Sequence, residues 1–158
     1  MLLGKKRKLG RMIGEISVGE KLTLTEKIED KDLLLYLGLT NDANPLYIQH
    51  DYASQTPFKK PIVPTVMLNG IIHSAVSKYM PGPGAHVIGM QVDYPKPVYH
   101  YDTVHFLFTI IAVDTDTHVI TINVQGSNEE GETVVKGDIQ VCPPHKKQKM
   151  EGHTLENF

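Results

Sequence analysis

One segment constrains the fold more than any other. Between Pro64 and the run P-G-P-G of Pro81–Gly84, the residues Leu68, Ile71, Ile72, Ala75, Val76 and Tyr79 recur at spacings of three and four. That spacing predicts a single amphipathic helix over Thr65–Met80. Pro64 stands where a missing N–H costs nothing, and P-G-P-G stops the helix abruptly. After Gly84 the pattern changes to that of β-structure. Segments near His86–Tyr94, Val104–Val113, His118–Gln125 and Glu132–Val141 are rich in Val, Ile, Thr and Phe, and P-K-P, D-T-D-T and S-N-E-E-G separate them. Four strands are expected, with each short link joining antiparallel neighbours. Neither a lone helix nor a lone sheet can bury its apolar face, so the helix must lie on the sheet in an α+β arrangement.

Ahead of the helix, Leu22, Leu24 and Ile28 alternate over Lys21–Ile28 and predict a half-buried strand. Asp30–Leu37 has acids at its start and Gly38 at its end, the polarity of a short capped helix. Thr40–Pro61 is dense in Asn, Asp, Pro, Gln and Tyr and reads as a structured loop, with one helical turn near His50–Ser54.

The 158 residues, 41% hydrophobic and 22% charged, suit one globular domain. Residues 1–10 read as a basic leader carrying Lys5, Lys6, Arg7 and Lys8, residues 11–142 as the folded domain, and residues 143–158 as a polar tail. A net charge of -2 offers no general attraction to nucleic acid. No apolar run approaches the roughly 18 residues of a membrane span, so no membrane insertion is expected. Cys142 is the sole cysteine and cannot form an internal disulfide, for which a cytoplasmic location is the simplest setting. His86, His100, His105 and His118 show no metal-ligand spacing, and no metal site is expected.

The stretch from Thr40 to Leu68, T-N-D-A-N-P-L-Y-I-Q-H-D-Y-A-S-Q-T-P-F-K-K-P-I-V-P-T-V-M-L, resembles the signature of the MaoC-like (R)-specific enoyl-CoA hydratases and 3-hydroxyacyl dehydratases. That signature runs G-D-x-N-P-[LI]-H-x-D-x-x-[YF]-A-x-x-[ST]-x-F and then P-I-[AV]-H-G-x-L. Asp42, Asn44, Pro45, Leu46, Tyr52, Ala53, Thr56, Phe58, Pro61, Ile62 and Val63 match in phase. Tyr94–Val104 likewise resembles the family's F-x-K-P-V-x-x-G-D-T-[VL], and the resemblance extends over roughly residues 11 to 142. It implies a hotdog fold, in which about five antiparallel strands wrap one long central helix. It also implies a homodimer and a substrate that is a thioester of CoA or acyl carrier protein, with no cofactor.

Adding water across a 2-enoyl thioester requires an acid/base group at the water and the α-carbon, and donors where charge builds on the thioester oxygen. Carried over by resemblance, Asp42 is the acid/base carboxylate, Asn44 orients it or its loop, and the backbone N–H of Thr65 is the oxyanion donor. Pro64 and Val66 flank that donor. The family's histidine position holds Tyr47, a phenol of reference pKa about 10 that donates a hydrogen bond but is a poor base near neutrality. The family's His-Gly pair before the helix is Pro64–Thr65, and its glycine before the Asp is Asn41. His50 and the helix residue His73 are the histidines nearest the motif in sequence; His73 shares a polar stripe with Asn69 and Ser77. Tyr52 and Phe58 are expected to pin the loop to the core, and Asp102 to form a turn. Two other readings stay open: a thioester-binding protein without turnover, since the histidine is missing, and a thioesterase.

Overall fold

The computed structural model describes residues 8–146; most of the basic leader and residues 147–158 of the polar tail lie outside them. Strand β1 spans Lys21–Lys27 and helix α1 spans Asp30–Thr40. Two single-turn helices follow, α2 at Pro45–Ile48 and α3 at His50–Ala53, before the long helix α4 at Thr65–Lys78. Strands β2 (His86–Asp93), β3 (Thr103–Asp114), β4 (Val119–Ser127) and β5 (Thr133–Cys142) complete the chain. All five strands join one antiparallel sheet in the order β1-β3-β4-β5-β2, and α4 packs against it.

The core follows the two periodicities. Leu68, Ile72, Ala75 and Val76 of α4 are buried against Phe106, Phe108 and Ile110 of β3, Ile120, Ile122 and Val124 of β4, and Ile139 and Val141 of β5. In each strand these are alternate residues, because successive side chains leave opposite faces of a pleated sheet. One buried leucine or isoleucine contributes about 1.5–3 kcal/mol, so the helix–sheet interface is the main source of stability.

Two expectations fail, each for a physical reason. The P-K-P link does not join neighbouring strands: β2 pairs with β5, and β3 with β1 and β4. Three strand spacings separate β2 from β3 in the sheet order, about 14 Å. Residues 94–102 between them reach about 30 Å when extended, so a short link spans a curled sheet without forming a hairpin. Helix α1 does not stop at Gly38 either. It runs on to Asn41, which caps it in the left-handed conformation (φ 56°) with its N–H donated to Leu37 O at 2.8 Å. Asparagine tolerates that backbone well, so the glycine is not needed there.

Candidate active site

Asn41 turns the chain out of α1 and presents the next residue, Asp42, half-buried beside the helix it has just left. Both carboxylate oxygens of Asp42 are engaged. The Tyr36 hydroxyl donates to Oδ2 at 2.7 Å, and the Asn44 backbone N–H donates to Oδ1 at 3.0 Å. Donation to the carboxylate holds the Tyr36 phenol above its ordinary pKa; partial burial adds to the effect, and Tyr47 contributes a smaller share. The Asp42 N–H is donated to Thr40 Oγ1 at 3.3 Å, closing the turn. A carboxylate held at both oxygens has one orientation, which is what an acid/base group acting on a bound substrate requires.

Asn44 orients Asp42 through its backbone rather than its side chain. The side-chain oxygen is occupied as the N-cap of α2, accepting from Leu46 N–H at 3.0 Å. Tyr47 lies half-buried on α2. Pro64, buried, is the N-cap of α4 with φ -56° and ψ 132°, and Thr65 is the first helical residue. No side chain caps this end, and among the described residues the N–H groups of Thr65 and Val66 find no protein acceptor. Val66 is 45% exposed and Thr65 is exposed beside it. Two bonds hold this helix entry in place: Ile62 N–H donates to Leu46 O at 3.2 Å, and Val63 N–H to Val98 O at 2.7 Å. The first ties the Asp42–Tyr47 loop directly to the segment that leads into α4.

The other sequence-selected residues take lesser positions. His73 Nε2 is 3.1 Å from Met90 Sδ on β2, and Asn69 accepts from the Tyr94 hydroxyl, so the polar stripe of α4 meets β2 and Tyr94. His50 opens α3 and is exposed. Asp102 does form a turn, accepting Tyr99 N–H at 2.9 Å. Tyr52 does not pin the loop, being 47% exposed; the anchor is its fully buried neighbour Ala53. Phe58 is held through its carbonyl, which accepts from the Tyr99 hydroxyl at 2.8 Å.

Two features escaped the sequence reading. Tyr36 was missed because a helix ending at Gly38 leaves it in a fraying last turn, whereas a helix reaching Asn41 aims it at Asp42. The other is a cluster of His118, Cys142 and His145, brought together although no ligand spacing announces it. Alongside α4 runs a cleft of about 370 Å³, walled by Met67 and Ile71 with Leu24 of β1, and edged by the charged Lys27, Asp32 and Lys78. Among the described residues no helix is long and apolar enough to cross a membrane.

Residues 15–136 match the MaoC like domain family. An (R)-specific enoyl-CoA hydratase of Rhodospirillum rubrum is 28% identical over 130 residues, covering 82% of this chain and 90% of that protein. An unliganded R-hydratase of Pseudomonas aeruginosa superposes with a TM-score of 0.79 at 25% identity, covering 94% of this chain and 96% of the other. The (R)-hydratase of Aeromonas caviae, described as involved in PHA biosynthesis, gives a TM-score of 0.77 at 25% identity over 82% of this chain and 98% of the other.

Proposed function

The chain belongs to the MaoC like domain family and has the hotdog architecture of its hydratases, and from that premise we propose that it adds water to 2-enoyl thioesters of CoA or acyl carrier protein, and runs the reverse dehydration of 3-hydroxyacyl thioesters. One observation carries the reading: the loop bearing a doubly held Asp42 is hydrogen-bonded to the entry of a helix whose first N–H groups are unpartnered among the described residues.

In this mechanism the thioester carbonyl accepts from the Thr65 N–H, where the positive end of the α4 dipole adds to the stabilisation of an enolate oxygen. Asp42 takes a proton from water as the water oxygen bonds to C3, and the carboxyl then delivers that proton to C2, so the hydroxyl and the proton of water are both accounted for. Tyr47 stays neutral and donates a hydrogen bond to the water or the carbonyl, replacing the family's histidine as donor but not as base. Pro64 and Val66 border the thioester, and Asn44 fixes the loop. The cleft beside α4 begins at Met67, two residues beyond the oxyanion donor, and supports an acyl chain lying along the helix. His73 keeps a supporting role through β2 rather than a place beside Asp42. No cofactor is required by this chemistry.

A homodimer is part of the reading. Its support is an open edge on β2, with Ile88 52% exposed, and an uncovered row of Leu34, Leu35 and Leu39 on α1. Sedimentation would give twice the 17.7 kDa chain mass.

The test is the fall in enoyl absorbance when crotonyl-CoA meets the protein. Turnover that vanishes in Asp42→Ala supports the proposal. Inactivity across acyl-chain lengths and on both carriers, with acyl-CoA still bound, would instead leave a thioester binder whose missing histidine has ended hydration. Release of free thiol would indicate a thioesterase.

A further inference from the structure

We propose that His118, Cys142 and His145 form a binding site for a borderline-soft divalent cation of the zinc type. One nitrogen from each imidazole and the Cys142 sulfur lie within 4.8 Å of one another, and the two imidazole rings stack with centroids 3.9 Å apart. The three residues come from two separated stretches of chain. His118 closes the β3–β4 turn in the left-handed conformation (φ 57°), while Cys142 ends β5 and His145 follows the buried pair Pro143–Pro144.

The donor set selects the metal. Two imidazoles and a thiolate suit zinc over calcium or magnesium, which take oxygen ligands. Zinc bonds of about 2.1 Å to nitrogen and 2.3 Å to sulfur put ligand atoms some 3.3–3.8 Å apart, so each atom moves inward by less than about 1 Å. Because an imidazole lone pair lies in its ring plane, the near-parallel rings must also turn out of their stack to face one ion. His145 is exposed, so the larger part of the movement falls to it. One outer-shell bond would accompany ligation of the ion through His118 Nδ1. His118 Nε2 lies 3.0 Å from Pro143 O. A carbonyl only accepts, so Nε2 carries the proton and Nδ1 the lone pair, the arrangement in which a histidine ligand is held by its other nitrogen. Binding releases the Cys142 thiol proton to solvent, and water takes the fourth position. Such an ion would clip the β3–β4 turn to the chain leaving β5.

The experiment is a titration of untagged, metal-stripped full-length protein with Co²⁺. Saturable binding of one equivalent is expected, with a thiolate-to-cobalt charge-transfer band in the near ultraviolet. Cys142→Ser should abolish the band. His118→Asn, which keeps a residue tolerant of the left-handed backbone, and His145→Ala should each weaken binding by tenfold or more. As a second measurement, Zn²⁺ should raise the melting temperature of the wild type but not of His145→Ala. Absence of saturable binding, or unchanged affinity in either histidine variant, overturns the proposal.

Discussion

The two ends of α4 are built on opposite plans. At the C-terminal end backbone hydrogen bonds tie the helix to the chain that leaves it and to the N-terminal segment. Tyr79 and Met80 N–H groups return to Ala75 O, Gly82 N–H to Val76 O, and the incoming N-terminal chain adds Gly10 N–H to Pro83 O and Arg11 N–H to Pro81 O. At the N-terminal end no side chain caps the helix, and among the described residues the N–H groups of Thr65 and Val66 have no protein acceptor. A helix terminus with unpartnered N–H groups costs stability and offers a place to bind an oxyanion. One end of the helix thus holds the fold and the other keeps backbone donors unpaired among the described residues.

The sharpest way to break this comparison is to act on the open end. Asp42→Ala should lower crotonyl-CoA hydration by about 10²–10⁴-fold while leaving the melting temperature within a few degrees of wild type. Thr65→Pro is a cleaner cut. Proline suits the first helical position, and Pro64 at ψ 132° already has the backbone that a residue before proline needs. The substitution deletes one N–H and little else, so kcat should fall by about 10²–10³-fold with the far-ultraviolet circular dichroism unchanged. A retained kcat would move the oxyanion donor elsewhere.

The closed end should respond in stability instead. A Cβ on Gly10 would stand 2.4 Å from Pro81 O and 2.6 Å from Gly82 C, both backbone atoms. Gly10→Ala should therefore cost about 1–3 kcal/mol in urea unfolding, with kcat per folded molecule preserved. Returning to the open end, Tyr36→Phe removes one donor to Asp42 but leaves the Asn44 N–H in place. A fall of about 5–10-fold in kcat with KM little changed is expected, as for loss of a hydrogen bond worth roughly 1 kcal/mol.

The smallest effect belongs to the Arg11–Glu20 ion pair, 2.6 Å long and partly exposed. The Arg11 guanidinium against its carboxylate is the main reason Glu20 is held below the usual carboxylate range. A lowered folded pKa stabilises above the unfolded value and loses that contribution as pH falls through the folded one. Arg11→Ala should therefore lower stability at pH 7 by less than about 1 kcal/mol, and the gap to wild type should close in melts taken toward pH 3.

Legibility in the sequence differed between these regions for the same reason. The sheet and α4 could be read because their side chains repeat, at two or at three and four residues, and burial follows the repeat. The loop from Thr40 to Pro61 has no period. Its residues could be chosen by resemblance, but the hydrogen bonds that orient them run across the chain, from Tyr36 to Asp42 and from Ile62 to Leu46.

The sequence by itself determined the helix that must be covered, the strands that cover it, and the family motif around Asp42, since periodicity and short-range motifs are local properties of a chain. Tertiary structure alone decided that β2 pairs with β5, that Tyr36 rather than the Asn44 side chain holds Asp42, and that His118 meets Cys142 and His145. Those are encounters between residues distant along the chain or separated by a change of backbone direction, and no local pattern encodes them.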